Sequence, residues 1–194
     1  MMWQSAHAAC GRLVFAGTTG RAEMRATPIC SGLLLAVVTT RYPGDPGTPT
    51  VRRAGRADLL AVHRIERVSF GEPWPYAAFE TFLGTDGFLV AENEHGGVVG
   101  YVVANLLADS ARQIGHVKDL AVAPTAREQG VGSQLLDRSV AVLNRKGATA
   151  VKLEVRESNT PALELYRSRE FNHRRTVAGY YADGEDARIL IKTM

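Results

Sequence analysis

PTAREQGVGSQLL (residues 124–136) places Gly130 and Gly132 two apart, directly ahead of an apolar run with helical spacing. Backbone N–H groups that open a helix lack intrahelical partners and carry the positive end of its dipole. A glycine turn into a helix therefore suits an anion, most often a phosphate. The preceding HVKDLAVA (116–123) reads as a strand, so the loop joins a strand to a helix, as in an α/β domain. Two familiar phosphate signatures fail. Gly132 is followed by Ser133 and Gln134, where a nucleotide-hydrolase loop needs Lys and a hydroxyl residue, and Leu135 stands where the dinucleotide fingerprint needs its third glycine. What remains is R-x-x-G-x-G, Arg127 to Gly132, which by itself suits a tight turn without a ligand equally well.

Outward from this loop the chain alternates strand and helix signals. Upstream, Leu59, Val62, Ile65 and Val68 recur at helical spacing until GEPWP (71–75) interrupts, and YAAFETFL (76–83) reads as a second short helix. FLVAE (88–92) and VVGYVVANLL (98–107), joined by NEHGG, carry a hairpin signal. Downstream, a helix runs from about Val131 to Lys146, buries Leu135, Leu136, Val142 and Leu143, and stops at Gly147. AVKLEVR (150–156) alternates as a strand; NTPALELYRSR (159–169) begins with a capping Asn and an early proline, as helices do. FNHRRTVAGYY (171–181) and DARILIKTM (186–194) read as two closing strands. The fold class expected is a single α/β domain with a mixed central β-sheet flanked by helices.

RYPGDPGTPT (41–50), with three prolines and two glycines, reads as a linker, so the domain is expected to span 51–194 behind a disordered extension of 1–50. That extension holds four Arg against two Asp or Glu. The remainder of a chain with formal charge +3 is nearly neutral, without the basic footprint of nucleic-acid binding. Cys10 and Cys30 both lie in the extension, which leaves the domain no disulfide, cysteine metal cluster or thiol nucleophile and fits a reducing cytoplasm. ICSGLLLAVV (29–38) falls well short of the roughly 20 residues of a membrane helix, and no membrane association is expected.

KLEVRESNTPALELYRSREF (152–171) follows the glycine-loop helix with a strand, an Asn and a helical Tyr. Together with R-x-x-G-x-G, this resembles the GNAT superfamily of N-acetyltransferases, over about Val51 to Met194. SFGEPWPYAAF, GHVKDLAV, LEVRESN, ALELY and GYYADGEDA, in that order, resemble the RimI-type protein N-terminal acetyltransferases, particularly archaeal ones. One departure is visible: LYRSREF has Arg169 and Glu170 where the family usually reads Leu-Gly, at the turn into the next strand.

The resemblance implies the GNAT fold, acetyl-coenzyme A as co-substrate without a metal, and acetyl transfer to the N-terminal amine of ribosomal proteins or nascent chains. It implies that Arg127, Glu128, Gln129, Gly130, Val131 and Gly132 cradle the pyrophosphate, which agrees with the anion reading. Leu120, Ala121 and Val122 would pair through their backbone with the pantetheine arm. Asn159 would hydrogen-bond that arm, although it is equally a preferred helix cap. Glu154 corresponds to a general base acting through water, yet in a strand carrying Lys152 and Arg156 it could simply be ion-paired. His116 corresponds to a histidine beside the amine and could relay a proton, or be merely hydrogen-bonded. Tyr166 corresponds to the acid that protonates the departing thiolate, or is a buried helix tyrosine.

Without a cysteine in the domain, direct attack in a ternary complex is favoured over an acetyl-enzyme. Glu72, Tyr76, Tyr180 and Tyr181 match the family's peptide entrance, with core packing the alternative for Tyr76; Tyr180 and Tyr181 cannot both face inward on one strand. Transfer to small amines or lysine side chains, and coenzyme A binding without turnover, are the alternatives.

Overall fold

The structure, a computed structural model, describes residues 47–107 and 113–194. The extension ahead of residue 47, with both cysteines and the 29–38 run, lies outside the described residues. Seven strands form one sheet: β1 (Thr50–Arg53), β2 (Phe88–Glu92), β3 (Val98–Leu107), β4 (Ile114–Val122), β5 (Ala150–Arg156), β6 (Asn172–Val177) and β7 (Ala187–Thr193), in the order β1-β2-β3-β4-β5-β7-β6. Only β4 and β5 pair in parallel, joined by the crossover helix α3 (Val131–Arg145), while the next helical connection carries the chain from β5 past β7 to β6. The mixed sheet and the helix positions agree with the sequence reading. One strand is shorter than its sequence suggests: β6 ends at Val177, and Tyr180 and Tyr181 lie in the β6–β7 connection.

Two cores form, one on each face of the sheet. Leu135, Leu136 and Leu143 of α3 pack with Ala162 and Tyr166 of α4 (Thr160–Arg167) against Leu120, Val122, Leu153 and Val155. Gly115 lets α3 lie close, since a Cβ there would sit 2.8 Å from Leu143. The opposite face is covered by α1 (Leu59–Ser69) and α2 (Tyr76–Glu80), with Trp74, Phe79, Tyr101 and Ala121 in its core.

Helix α1 corrects part of the sequence reading. Its buried positions are Leu59, Val62, Ile65, Glu66 and Ser69, whereas Val68 is 64% exposed. At about 100° per residue, nine residues carry a side chain half a turn away, so a strict spacing of three leaves the core stripe. Glu66, seven residues after Leu59, falls back onto it.

Strand β4 carries the irregularity that shapes the site. Val103 pairs with Asp119 and Ala104 with Val117, so Lys118 is an extra residue in β4, a bulge. The β4–β5 ladder extends only from Ile114↔Ala150 to Val117↔Leu153. Beyond the bulge the two strands part, leaving the inner edge of Leu120–Val122 without β5 as a hydrogen-bonding neighbour.

Candidate active site

The glycine loop lies on the α3–α4 side of this parting. Pro124–Ala126 form a single 3₁₀ turn, then Glu128 (φ 63°) and Gly130 (φ 79°) both take left-handed backbone conformations. Gly130 stands at the N-cap of α3 and no side chain caps that end. The first-turn N–H groups of α3 are thus left for a ligand. They border a cavity of about 300 Å³, lined by the predicted residues Val122, Arg127, Glu128, Gly130, Val131 and Gly132. Ala126, Ser133, Pro161 and Leu165 complete it, and sequence reading missed them. Ser133 was within reach as the next residue in the cradle; the α4 residues meet the loop only in three dimensions.

Arg127 donates from Nε to the Val122 carbonyl at 3.1 Å, which turns its guanidinium back beside β4. Its Nη2 is buried with no hydrogen-bond partner among the described residues, and burial lowers the guanidinium pKa. A partly buried guanidinium with one nitrogen buried and unpaired favours an anion beside it. A diphosphate fits both this and the uncapped helix. Gln129 turns away, its Nε2 donating to the Thr125 carbonyl at 3.1 Å. Asn159 caps α4, accepting from the Ala162 N–H at 3.3 Å. That is its structural role.

Strand alternation puts Val151, Leu153 and Val155 into the α3–α4 core and turns Lys152, Glu154 and Arg156 to the other face. There Glu154 Oε2 meets His116 Nε2 at 2.7 Å, both side chains about 5% exposed, and Lys152 Nζ donates to Oε1 at 3.0 Å. Arg156 is engaged elsewhere, with Asp183 and Glu185. Burial favours the neutral forms of His116 and Glu154. For His116 it prevails and the imidazole pKa falls below its ordinary value. For Glu154 burial is outweighed by His116 and Lys152, which bring the carboxyl down to about 2. At neutral pH the pair is a carboxylate holding a neutral imidazole.

Tyr166 is buried on α4, edge-on to Phe171 at 5.7 Å. Burial first, then the neighbouring Tyr181, Asp119 and Glu154, raise its phenol well above the ordinary value, so it carries its proton throughout the physiological range. Tyr181 is buried beneath the Arg156 guanidinium, 3.9 Å from the ring centroid, and meets the half-buried Tyr180 edge-on at 5.1 Å. Glu72 is exposed on the α1–α2 connection, and Tyr76 opens α2 with its ring edge on His63 at 5.8 Å. These two belong to the α1–α2 cover, apart from the β6–β7 tyrosines in the chain and in secondary structure.

An uncapped helix start beside a partly buried arginine on one side of two parting strands, and a buried imidazole–carboxylate pair on the other, suit a group-transferring enzyme with a phosphorylated donor. The chain belongs to the acetyltransferase (GNAT) family, whose model matches residues 59–171, and is an acetyl-CoA-dependent N-acetyltransferase. It is 34% identical over 157 residues to the N-alpha-acetyltransferase of Saccharolobus solfataricus, covering 75% of this chain and 93% of that one. It is 28% identical over 144 residues to the [ribosomal protein bS18]-alanine N-acetyltransferase of Escherichia coli K12, covering 73% and 95%. Its fold matches the crystal structure of Chaetomium thermophilum Naa20 in complex with a bisubstrate analogue, with TM-score 0.67 and 28% identity over 75% of this chain and 86% of that one. Among the described residues no helix is long and apolar enough to cross a membrane, and no group of three or more His, Cys, Asp or Glu could hold a metal.

Proposed function

We propose that this protein acetylates the N-terminal α-amine of proteins, ribosomal proteins or nascent chains, in the cytoplasm, through a ternary complex with acetyl-CoA. The observation that carries the reading is the His116–Glu154 pair, buried just where β4 and β5 separate. Residues 51–194 form the catalytic domain and 1–50 an extension to it. The pyrophosphate of acetyl-CoA binds the Arg127–Gly132 loop, the Leu120–Val122 edge and Asn159 receive the pantetheine arm, and the peptide arrives from the α1–α2 side past Glu72, Tyr76, Tyr180 and Tyr181.

The amine nitrogen attacks the thioester carbonyl, an N–C bond forms, and the C–S bond then breaks. An N-terminal amine with a pKa near 8 is partly neutral at physiological pH, so the base is needed chiefly as the bond forms and the nitrogen turns acidic. Glu154 is a poor final acceptor. Its neighbours hold the carboxyl well below its ordinary value, and far below an ammonium of pKa about 8, so a proton placed there is not kept. His116 takes the proton, and Glu154 orients the ring and stabilises the imidazolium, so Glu154 performs its base role through its neighbour. Tyr166 gives its proton to the departing thiolate, and a backbone N–H near Val122 polarises the carbonyl.

Purified protein with acetyl-CoA is expected to acetylate short peptides with free N-termini and leave the same peptides untouched when the N-terminus is blocked. Mass spectrometry decides it. Comparable rates on N-blocked, lysine-containing peptides, or on small amines alone, would overturn the α-amine reading in favour of a broader amine acetyltransferase.

A further inference from the structure

Glu66, Tyr101 and Asp119 form a second buried polar group that the reaction above does not use. Glu66 and Tyr101 are fully buried and Asp119 is 2% exposed. The Tyr101 hydroxyl lies 2.8 Å from Asp119 Oδ2 and is also in a short contact with Glu66 Oε2. The other Glu66 oxygen, Oε1, accepts the Trp74 backbone N–H at 2.7 Å. Three separate pieces of the fold meet here: α1 through Glu66, β3 through Tyr101, and β4 through Asp119, one residue past the Lys118 bulge.

The geometry of this group constrains its proton count. A phenol has one proton to donate, and its oxygen can also accept. Burial and the two neighbouring carboxyls raise the Tyr101 phenol far above its ordinary value, so that proton stays. With both carboxyls ionised, one of the two short O···O contacts would face oxygen to oxygen with nothing between, in a site where unscreened charge is costly. A proton on one carboxyl, donated to Tyr101 while Tyr101 donates to the other, satisfies both contacts.

The group also has a mechanical consequence. Trp74 sits in the middle of GEPWPY, with Glu72 on one side and Tyr76 on the other, and its ring packs on Phe79 and Phe82. Its backbone N–H is held by Glu66, so the loop is tied through Tyr101 to the same strand that carries His116. We propose that Glu66, Tyr101 and Asp119 share one carboxyl proton, and that this clamp positions the 71–76 loop and so sets how tightly the peptide binds. The second half rests on the N-terminal acetyltransferase reading; the first does not. These are positioning residues, acting through the loop rather than on the reacting atoms.

Infrared difference spectroscopy at neutral pH tests the proton directly. The wild-type protein is expected to show a carboxylic-acid C=O band that disappears in Glu66→Gln, because the Gln amide can donate to Tyr101 and accept from Trp74 with no carboxyl proton required. A band that is absent, or that survives Glu66→Gln, overturns the shared proton, whether or not any peptide is ever acetylated. For positioning, Tyr101→Phe is expected to raise the peptide KM about tenfold while kcat and the acetyl-CoA KM stay within twofold. A fall in kcat, a parallel rise in both KM values, or no change overturns it. Should Tyr101→Phe fail to fold, Glu66→Leu and Glu66→Gln form the same test: the Leu variant raises the peptide KM and the Gln variant keeps it, and equal behaviour of the two refutes the clamp.

Discussion

The face of the sheet under α3 and α4 buries aliphatic side chains, two aromatic rings and the Ser139 hydroxyl, whereas the face under α1 and α2 buries Glu66, Asp119, His116 and Glu154 among its aromatics. On the first face the groups open to a ligand are mostly backbone, the uncapped start of α3 and the edge of β4 beyond the bulge, joined by the Arg127 guanidinium. On the second they come from side chains whose protonation is set by burial and by one another. The donor side should therefore be sensitive to backbone geometry and, Arg127 apart, indifferent to most side-chain changes. The acceptor side should be the reverse, since a buried ionisable group left without its partner is expensive.

The sharpest test of this contrast is the His116–Glu154 pair. Glu154→Gln is expected to lower kcat by about 10²–10⁴-fold, the range for a lost general acid or base, with little change in the acetyl-CoA KM. His116→Ala should fall as far, and the double variant hardly further, because residues that act as a unit do not contribute independently. Steady-state kinetics on the three variants measures this; multiplying effects in the double variant would show two independent groups.

On the donor side the largest effect should come from Gly130→Ala. A Cβ there meets nothing within 4 Å, so the φ of 79° alone is at issue, at a cost of about 1–2 kcal/mol for an L side chain. The acetyl-CoA KM is expected to rise about tenfold while the peptide KM holds. Equal movement of both would erase the division between the faces.

A smaller effect concerns pH. His116 is held below its ordinary pKa of 6.5, so the unfolded chain binds its proton first, and stability is lost as pH falls through that ordinary value. Glu154 is lowered from 4.5 to about 2, and its contribution is present above 4.5 and lost as pH falls toward 2. Thermal unfolding from pH 8 down to pH 4 should show Tm declining from about pH 6.5, and less steeply in His116→Ala. An unchanged slope in that variant would mean that the imidazole is not held neutral.

The contrast between the faces also governs what the sequence reveals. The strand-loop-helix around Gly130 and the Asn159 cap are local, built from neighbours in the chain, and so were legible. The resemblance supplies His116, Glu154 and Tyr166 individually, and only the folded chain joins His116 to Glu154 across 38 residues. The Glu66–Tyr101–Asp119 group was invisible because its links span 35 and 18 residues and its first member looks like a surface charge. One signal was available: Glu66 lies on the stripe of Leu59, Val62 and Ser69 once the turn is counted at 3.6 residues.

The smallest predicted effect is at the one visible departure from the family pattern, the end of α4. The Phe171 N–H bonds to the Tyr166 carbonyl and the Glu170 N–H to the Arg167 carbonyl, while the Phe171 ring meets the Tyr166 ring. This is a Schellman stop, with Glu170 at the left-handed position normally taken by glycine, φ 64°. The turn thus survives without its glycine and still fixes the start of the chain's return beside Tyr166. The strain is opposed by the Glu170–Lys192 pair at 2.7 Å, but an ion pair with so exposed a carboxylate contributes little. Glu170→Gly should therefore raise Tm by about 2–4 °C, as relief of roughly one left-handed residue does in a chain of this size, with kcat unchanged. A lower Tm would show that the Lys192 contact outweighs the backbone. A changed kcat would show that the turn tunes where Tyr166 sits, and would extend the sensitivity of the donor side from its loop to the helix that carries the acid.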